Sequence, residues 1–142
     1  LACRTTTCAM KICILAFAFL YSGFAFKFHV TPEVAKIWDD FIDPFREECR
    51  AEAGLDEEVA KWALLKMDFP ENDAFMRFCG CLWSRLGLYN MDTNEINVDT
   101  VVEKLHGFTM ENAVECNDRY KNASKNEKAF LVGTCVIRKM SL

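Results

Sequence analysis

Apolar residues recur every three or four positions along most of this chain, and that spacing constrains its fold more than any other feature. An α-helix places residues three and four apart on one face, whereas a half-buried strand alternates at every second residue. No run with the two-residue alternation extends over a useful length. The pattern therefore predicts one compact all-α domain of about six helices.

The first predicted helix shows how local signals set helix ends. Thr31 and Pro32 provide an N-cap and a first-turn proline, and Gly54 is typical of a helix C-terminus. Pro44 lies inside the pattern and predicts a kink near Asp43. The apolar face of this helix comprises Val34, Ile37, Trp38, Phe41, Phe45 and Cys49.

Five further helices are predicted from the same signals. The second begins at Asp56 and ends before Asp68, and the third begins at Asn72 or Asp73 and ends at Gly87. The fourth has an apolar stripe of Val98, Val101, Val102 and Leu105 and ends at Gly107. The fifth begins after the cap Thr109, and its apolar residues Met110, Ala113 and Val114 are all expected to point inward. The sixth covers residues 125–138, with Ala129, Phe130 and Ile137 as its apolar residues.

The N-terminal segment has the features of a secretory signal peptide. A Met–Lys pair at residues 10–11 precedes an apolar run at residues 12–20, and the small residues Gly23 and Ala25 suit a cleavage site. A buried N-terminal helix or an uncleaved anchor is the alternative. The predicted divisions are residues 1–9 as upstream sequence, 10–25 as signal peptide and 26–142 as the mature domain.

Charge and motif content exclude several functions. Removal of the leader, with Arg4 and Lys11, lowers the formal net charge from −4 to −6, which argues against nucleic acid as a partner. The sequence contains no nucleophile elbow, no phosphate-binding loop and no His–Asp pair of a secreted phospholipase. We therefore expect neither an enzyme nor a cofactor, and no stable membrane insertion.

The cysteines predict two disulfides. An export signal together with several cysteines indicates an oxidising compartment. Cys49 and Cys81 would join helices one and three, and Cys116 and Cys135 would join helices five and six. Residues 79 and 81 differ by about 200° around a helix and cannot face the same partner. Cys79 lies on the apolar stripe and is expected as a small buried residue.

A metal site is the competing explanation for these cysteines. The Cys79–Gly80–Cys81 spacing does not match the common zinc pairs, and His29 and His106 form no ligand cluster. No metal site is therefore expected.

Several segments of the mature chain resemble insect odorant-binding proteins. They are KMDFP at 66–70, FCGCL at 78–82, LGLY at 86–89 with the acidic turn and short helix after it, and Ala129-Phe130 ahead of Cys135. The resemblance covers residues 26–142 and is closest to dipteran members. It implies an apolar cavity lined by helices one, three, four, five and six. By position, the expected lining residues, each of which could equally belong to plain core, are Phe45, Phe78, Leu82, Leu86, Val101, Leu105, Val114 and Phe130.

The chain departs from that family at two positions. The family has six cysteines, paired first with third, second with fifth and fourth with sixth. Arg77 and Asn126 stand where its second and fifth cysteines should be, so one matched bridge between helices three and six is missing. This resembles the family's reduced-cysteine "minus-C" subgroup. Cys79 is additional to the family pattern.

The resemblance implies a secreted carrier of small hydrophobic ligands, such as an odorant, a pheromone, a fatty acid or a similar lipid. We expect a monomer or weak dimer in sensillar lymph or another secreted fluid, with an odorant receptor as a further partner. Asn122 begins an N-glycosylation sequon. Four residues could supply a polar anchor for the ligand or lie on the surface: Tyr89, His106, Arg119 and Tyr120.

The alternative is a salivary or reproductive-fluid protein of the same fold that scavenges amines or acts on a protein partner. The acidic charge would suit cationic amines only if acidic groups faced the cavity.

Overall fold

The computed structural model describes residues 25–141 and contains six helices there. Residues 1–9 and the predicted leader, apart from Ala25, lie outside the described residues. The all-α prediction is confirmed. The helices are α1 (Pro32–Ala53), α2 (Glu57–Lys66), α3 (Asp73–Arg85), α4 (Val98–Lys104), α5 (Met110–Arg119) and α6 (Lys128–Met140).

Short polar side chains begin the first five helices by accepting hydrogen bonds from free backbone N–H groups. Thr31 Oγ1 accepts from Val34 N at 3.4 Å, and Asn72 Oδ1 accepts from Phe75 N at 2.9 Å. Asp56, Asn97 and Thr109 cap the other three. The caps and stripes predicted from sequence therefore locate these helices correctly, and α1 continues as one helix through Pro44.

The C-terminus of α1 and the start of α6 illustrate two further boundary effects. Gly54 ends α1 in the left-handed conformation, with φ of 67°, which favours glycine because a side chain would be strained there. Helix α6 begins at Lys128, three residues later than predicted, because residues 125–127 form a turn.

Two small antiparallel ribbons accompany the helices, and the sequence analysis missed both. Strand β1 (Ala25–Lys27) pairs with β2 (Asp68–Pro70), and β3 (Tyr89–Asn90) pairs with β4 (Glu95–Ile96). Strands of two or three residues are too short to show an alternating pattern. Neither ribbon could therefore be predicted from the sequence pattern, and both lie in segments that connect the helices.

The helices pack as two groups, each closed by a disulfide. Helix α1 packs against α2 and α3, while α6 packs against α5 and α3. Cys49 and Cys81 join α1 to α3 with a Cα–Cα distance of 5.5 Å, and the Cys116–Cys135 bridge joins α5 to α6 at 5.8 Å. Both predicted disulfides are confirmed, and both consist of buried residues.

The inward face of α5 differs from the prediction. Ala113 is 1% exposed and Cys116 is fully buried, so this pair orients the helix. Met110 and Val114 are 44% and 51% exposed, and the expectation that both point inward was wrong. Val114 follows Ala113 by one residue, which rotates its side chain by about 100° towards solvent.

No helix between Ala25 and Ser141 combines the length and the unbroken apolar composition that crossing a bilayer requires.

Candidate ligand-binding cavity

A cavity of about 90 Å³ lies between the two disulfide-linked groups of helices. Helix α1 contributes Trp38 and Ile42 to its wall, and Phe69 of β2 closes one side. Leu105 and Phe108 enter from the segment after α4. The remaining lining residues are Ala60, Ala63 and Leu64 of α2, Phe75, Phe78, Cys79, Leu82 and Trp83 of α3, and Ala129, Phe130, Gly133, Thr134 and Ile137 of α6.

Aromatic rings form much of this wall, and they contact one another. Phe69 stacks on Phe75 with ring centroids 5.5 Å apart, and Phe75 meets Phe130 edge to face at 6.0 Å. Trp38 meets Phe108 edge to face at 5.8 Å. Offset and edge-to-face arrangements of this kind are favourable for aromatic pairs. They hold the lining in place while leaving the cavity surface apolar.

The polar groups of the wall are few, and two are already used within the protein. Trp38 Nε1 donates to His106 O at 3.0 Å, and Thr134 Oγ1 donates to Phe130 O at 2.7 Å. The lining residues of the described chain include no Asp, Glu, Lys, Arg or His. A charged ligand group would therefore lose its hydration here without gaining a counter-ion.

Cys79 lines the cavity as an unpaired thiol. Burial among apolar groups disfavours the thiolate and raises the pKa of Cys79 to about 12. The residue keeps some accessible surface because it borders the cavity. Cys81, two residues further on, forms the disulfide with Cys49 and carries no free thiolate. Cys79 and Cys81 therefore do not form a two-thiolate metal site.

The predicted lining residues divide into two equal sets. Phe78, Leu82, Leu105 and Phe130 border the cavity, while the other four do not. Leu86 and Val101 are buried elsewhere in the core, Phe45 packs half-buried against the core, and Val114 faces solvent. Whether the first set contacts a ligand remains a prediction.

Helix α2 takes the place in the wall that the resemblance assigned to α5. Ala60, Ala63 and Leu64 are spaced by three and four residues, which is the signal that could have identified this face. Alanines such as Ala60 and Ala63 do not by themselves distinguish core from cavity wall in the sequence. The packing of α2 against α1 decides their role.

The four suggested polar anchors are not among the residues that line this cavity. The Tyr89 hydroxyl donates to Asn94 Oδ1 at 2.8 Å, and Arg119 pairs with Glu115 at 3.1 Å. The side chain of His106 is exposed, and Tyr120 is half-buried against the core. Tyr89 therefore holds the turn between β3 and β4, and the Arg119–Glu115 pair lies within α5.

Together, the helical fold, two disulfides and an apolar cavity without charged lining residues define a class of small ligand-binding protein. A comparison of the sequence with known families identifies the family. The PBP/GOBP family pattern matches residues 35–139, which is more than half of the chain. The chain belongs to this family, the insect odorant-binding proteins, which bind and carry small hydrophobic ligands in extracellular fluids and are not enzymes. Neither a curated protein nor a solved structure matches the chain.

Proposed function

We propose that this protein is a secreted carrier of small, neutral, apolar ligands, which bind in the cavity between α3 and α6. The observation that carries the proposal is a wall built from aromatic and aliphatic side chains with no charged residue among them. Apolar surface is favourably removed from water in such a site, at roughly 25 cal/mol per Å². Secretion after loss of the leader agrees with the two disulfides, which persist in oxidising compartments.

The size of the cavity limits the ligand. The cavity volume of about 90 Å³ is smaller than an engineered apolar cavity of roughly 150 Å³ that holds benzene. A benzene-sized ligand therefore needs a modest displacement of the wall. A long-chain fatty acid would need a several-fold expansion, and its carboxylate would have no cationic partner among the lining residues.

The same wall weakens the amine-scavenger alternative. That hypothesis requires a carboxylate facing the ligand, and no Asp or Glu lines the cavity in the described chain. A protein partner is a separate alternative. Exposed apolar residues such as Met110 and Val114 on α5 could contribute to it, but no charge pattern around them defines a partner.

Several finer points belong to the same proposal. The absence of cysteines at Arg77 and Asn126 supports assignment to the reduced-cysteine subgroup. A dipteran-like member is proposed from the resemblance of the sequence segments alone. A monomer or weak dimer in sensory fluid, delivering ligand to an odorant receptor, is the expected setting. Asn122 lies exposed in the connection between α5 and α6, where an added glycan would meet no core packing.

The proposal is tested with three ligands of similar shape and different charge. Toluene, benzylamine and benzoate are titrated into the protein secreted from insect cells, with binding followed by ¹⁵N–¹H NMR. Toluene is expected to bind at least about tenfold more tightly than either ion, because each ion loses solvation in the cavity. Tighter binding of benzylamine would favour the amine scavenger, and no binding of toluene would refute the carrier proposal.

A matched pair of variants locates the site. Ala63→Leu adds a side chain to the cavity wall and is expected to abolish toluene binding. Ala51→Leu makes the same change at an exposed position of α1 and should leave binding unchanged. Circular dichroism of both variants confirms that the helices are intact. Equal binding to the two variants would place the ligand elsewhere.

A further inference from the structure

The three tryptophans of this protein differ in whether their indole N–H has an acceptor within the described residues. Trp38 Nε1 donates to His106 O and Trp62 Nε1 donates to Glu58 Oε2, each at 3.0 Å. Trp83 Nε1 has no acceptor among residues 25–141, and it is not one of the fully buried unpaired atoms in that range. The Nε1 atom therefore keeps some accessible surface and can donate to an acceptor from outside the protein.

Trp83 packs against a glycine of the facing helix. A Cβ atom on Gly133 of α6 would lie only 3.0 Å from Trp83 Cζ2 and 3.8 Å from Cε2. The edge of the indole therefore packs directly against the backbone of α6, in space that a side chain would fill. Nε1 is bonded to Cε2, so the donor lies on the same edge. Both Trp83 and Gly133 line the cavity.

The other polar groups of the wall are poorer donors for a ligand. The hydroxyl hydrogen of Thr134 is directed to Phe130 O, and the indole hydrogen of Trp38 is directed to His106 O. The Cys79 thiol is a weak donor. Trp83 thus offers the one strong donor of the described wall that the fold leaves unused.

We propose that Trp83 Nε1 donates a hydrogen bond to an oxygen atom of the bound ligand, and that this selects neutral molecules with an acceptor, such as aldehydes, ketones and esters. The inference rests on the proposed carrier function and deepens it. An acceptor oxygen that enters an apolar site without a partner pays its full desolvation cost. A single donor at the wall removes that cost without requiring a charge on the ligand. Hydrocarbons of the same shape gain nothing from it.

The test compares benzaldehyde with toluene, which differ by the acceptor oxygen. Dissociation constants are measured for the wild-type protein, for Trp83→Phe, and for Trp62→Phe as a control outside the cavity. Trp83→Phe removes the donor and keeps an aromatic ring. It is expected to weaken benzaldehyde binding about fivefold more than toluene binding, since one neutral hydrogen bond contributes about 1 kcal/mol. Trp62→Phe should weaken neither.

Wild-type NMR provides a readout that does not depend on the folding of Trp83→Phe. The three tryptophans give three indole N–H signals, which Trp62→Phe and Trp38→Phe assign by elimination. Benzaldehyde should move the Trp83 signal downfield, and toluene should not. If both ligands bind with the same change at Trp83 and lose affinity equally in Trp83→Phe, the inference is wrong and the carrier function stands. If neither ligand binds, the carrier function fails and the inference fails with it.

Discussion

The two sides of α3 are held by different kinds of interaction. On the side of α1, Cys81 is bonded to Cys49, and Arg85 Nη2 and Nε lie 2.7 and 3.0 Å from Glu48 Oε1. Arg77 Nη2 also donates to Ala53 O, the last residue of α1, at 3.2 Å. A covalent bond and directional polar contacts thus fix the position of α3 relative to α1.

On the side of α6, the contacts of α3 that shape the cavity wall are apolar. Phe75 meets Phe130 edge to face, and Trp83 packs against Gly133. Arg77 and Asn126, which stand where the family has a pair of cysteines, border a common cleft of about 120 Å³. The two disulfides of the described chain lie within the α1–α3 pair and the α5–α6 pair, and neither joins α3 to α6.

This difference indicates where the cavity can change size. Its wall draws on both disulfide-linked pairs through α1, α3 and α6. Apolar contacts are not directional, so a shift of one side chain against another costs less than the loss of a covalent bond. Expansion for a ligand is therefore expected between α3 and α6, while the distance between α1 and α3 stays fixed.

The largest expected effect concerns Cys79, which faces the cavity side of α3 while Cys81 faces α1. The pKa of about 12 means that the thiolate, the reactive form, is about 1000-fold scarcer than for a thiol with the ordinary pKa near 9. Alkylation by iodoacetamide at pH 8 should be slower by at least that factor than for an exposed cysteine. The rate should rise about tenfold per pH unit as long as the protein stays folded.

The control for this labelling is the protein unfolded in guanidinium, in which Cys79 should react at the ordinary rate. Cys79→Ala should take up no label in either state. Rapid labelling of the native protein would show that Cys79 reaches solvent and does not face an apolar cavity.

Removal of the α1–α3 bridge should be the next largest effect. Cys49 and Cys81 are 32 residues apart, and closing a loop of that size contributes about 3–4 kcal/mol on the chain-entropy argument. Cys49→Ser/Cys81→Ser should lower the free energy of unfolding by that amount in a denaturant titration. Ligand binding should weaken as well, because α3 loses its fixed position.

The matched control is Cys116→Ser/Cys135→Ser, whose bridge spans 19 residues and should contribute about 3 kcal/mol. If removal of Cys49–Cys81 lowered the stability by less than about 1 kcal/mol, the polar contacts and packing would be enough to hold α3.

A new bridge on the opposite side should have a smaller effect of opposite sign. Arg77 and Asn126 border the same cleft, so Arg77→Cys/Asn126→Cys is expected to form a disulfide between α3 and the segment before α6. Engineered bridges usually give less than the ideal value, so we expect a gain of about 2 kcal/mol in the unfolding free energy. The gain should disappear with reducing agent.

The same variant tests the site of expansion. With the bridge closed, ligands larger than toluene should bind more weakly, and toluene itself should be little affected. The single variants Arg77→Cys and Asn126→Cys control for loss of the original side chains. Unchanged binding of large ligands would show that the cavity expands elsewhere, with α2 as the remaining wall.

Local signals in the sequence predicted most of the fold. The caps Thr31, Asp56, Asn72 and Thr109 satisfy N–H groups within their own turn, and helical phase is enough to separate Cys79 from Cys81. These features depend on neighbours a few residues away. The helix order, and the choice of Cys81 over Cys79 as the bridging cysteine, could therefore be predicted before any packing was known.

The cavity wall depends on tertiary packing, and four of the eight residues predicted to line it border the cavity. Val114 was placed inward because it is apolar, but Ala113 and Cys116 orient α5 the other way. Ala63 was not predicted to line the cavity, because an alanine becomes a cavity residue only through what lies across from it. The contact between Trp83 and Gly133 joins two helices and is not visible in either segment alone.

The contact between Trp83 and Gly133 provides the smallest and most local test of how firmly α3 is held on the side of α6. Glycine inside a helix is less favourable than alanine by roughly 0.5–1 kcal/mol, so Gly133→Ala would stabilise an isolated α6. In the protein the added Cβ would lie 3.0 Å from Trp83 Cζ2, and the indole must move by a few tenths of an ångström. We expect the two effects to cancel or to leave a small loss of stability.

In a Trp83→Ala background the obstruction is gone, and Gly133→Ala should raise the unfolding free energy by about 1 kcal/mol. Denaturant titrations of the four proteins give the coupling energy. If Gly133→Ala changes the unfolding free energy equally in the wild-type and Trp83→Ala backgrounds, the α3–α6 interface yields freely at this point. A coupling energy of about 1 kcal/mol would mean that the indole is held against α6. Any expansion of the cavity would then begin at other side chains.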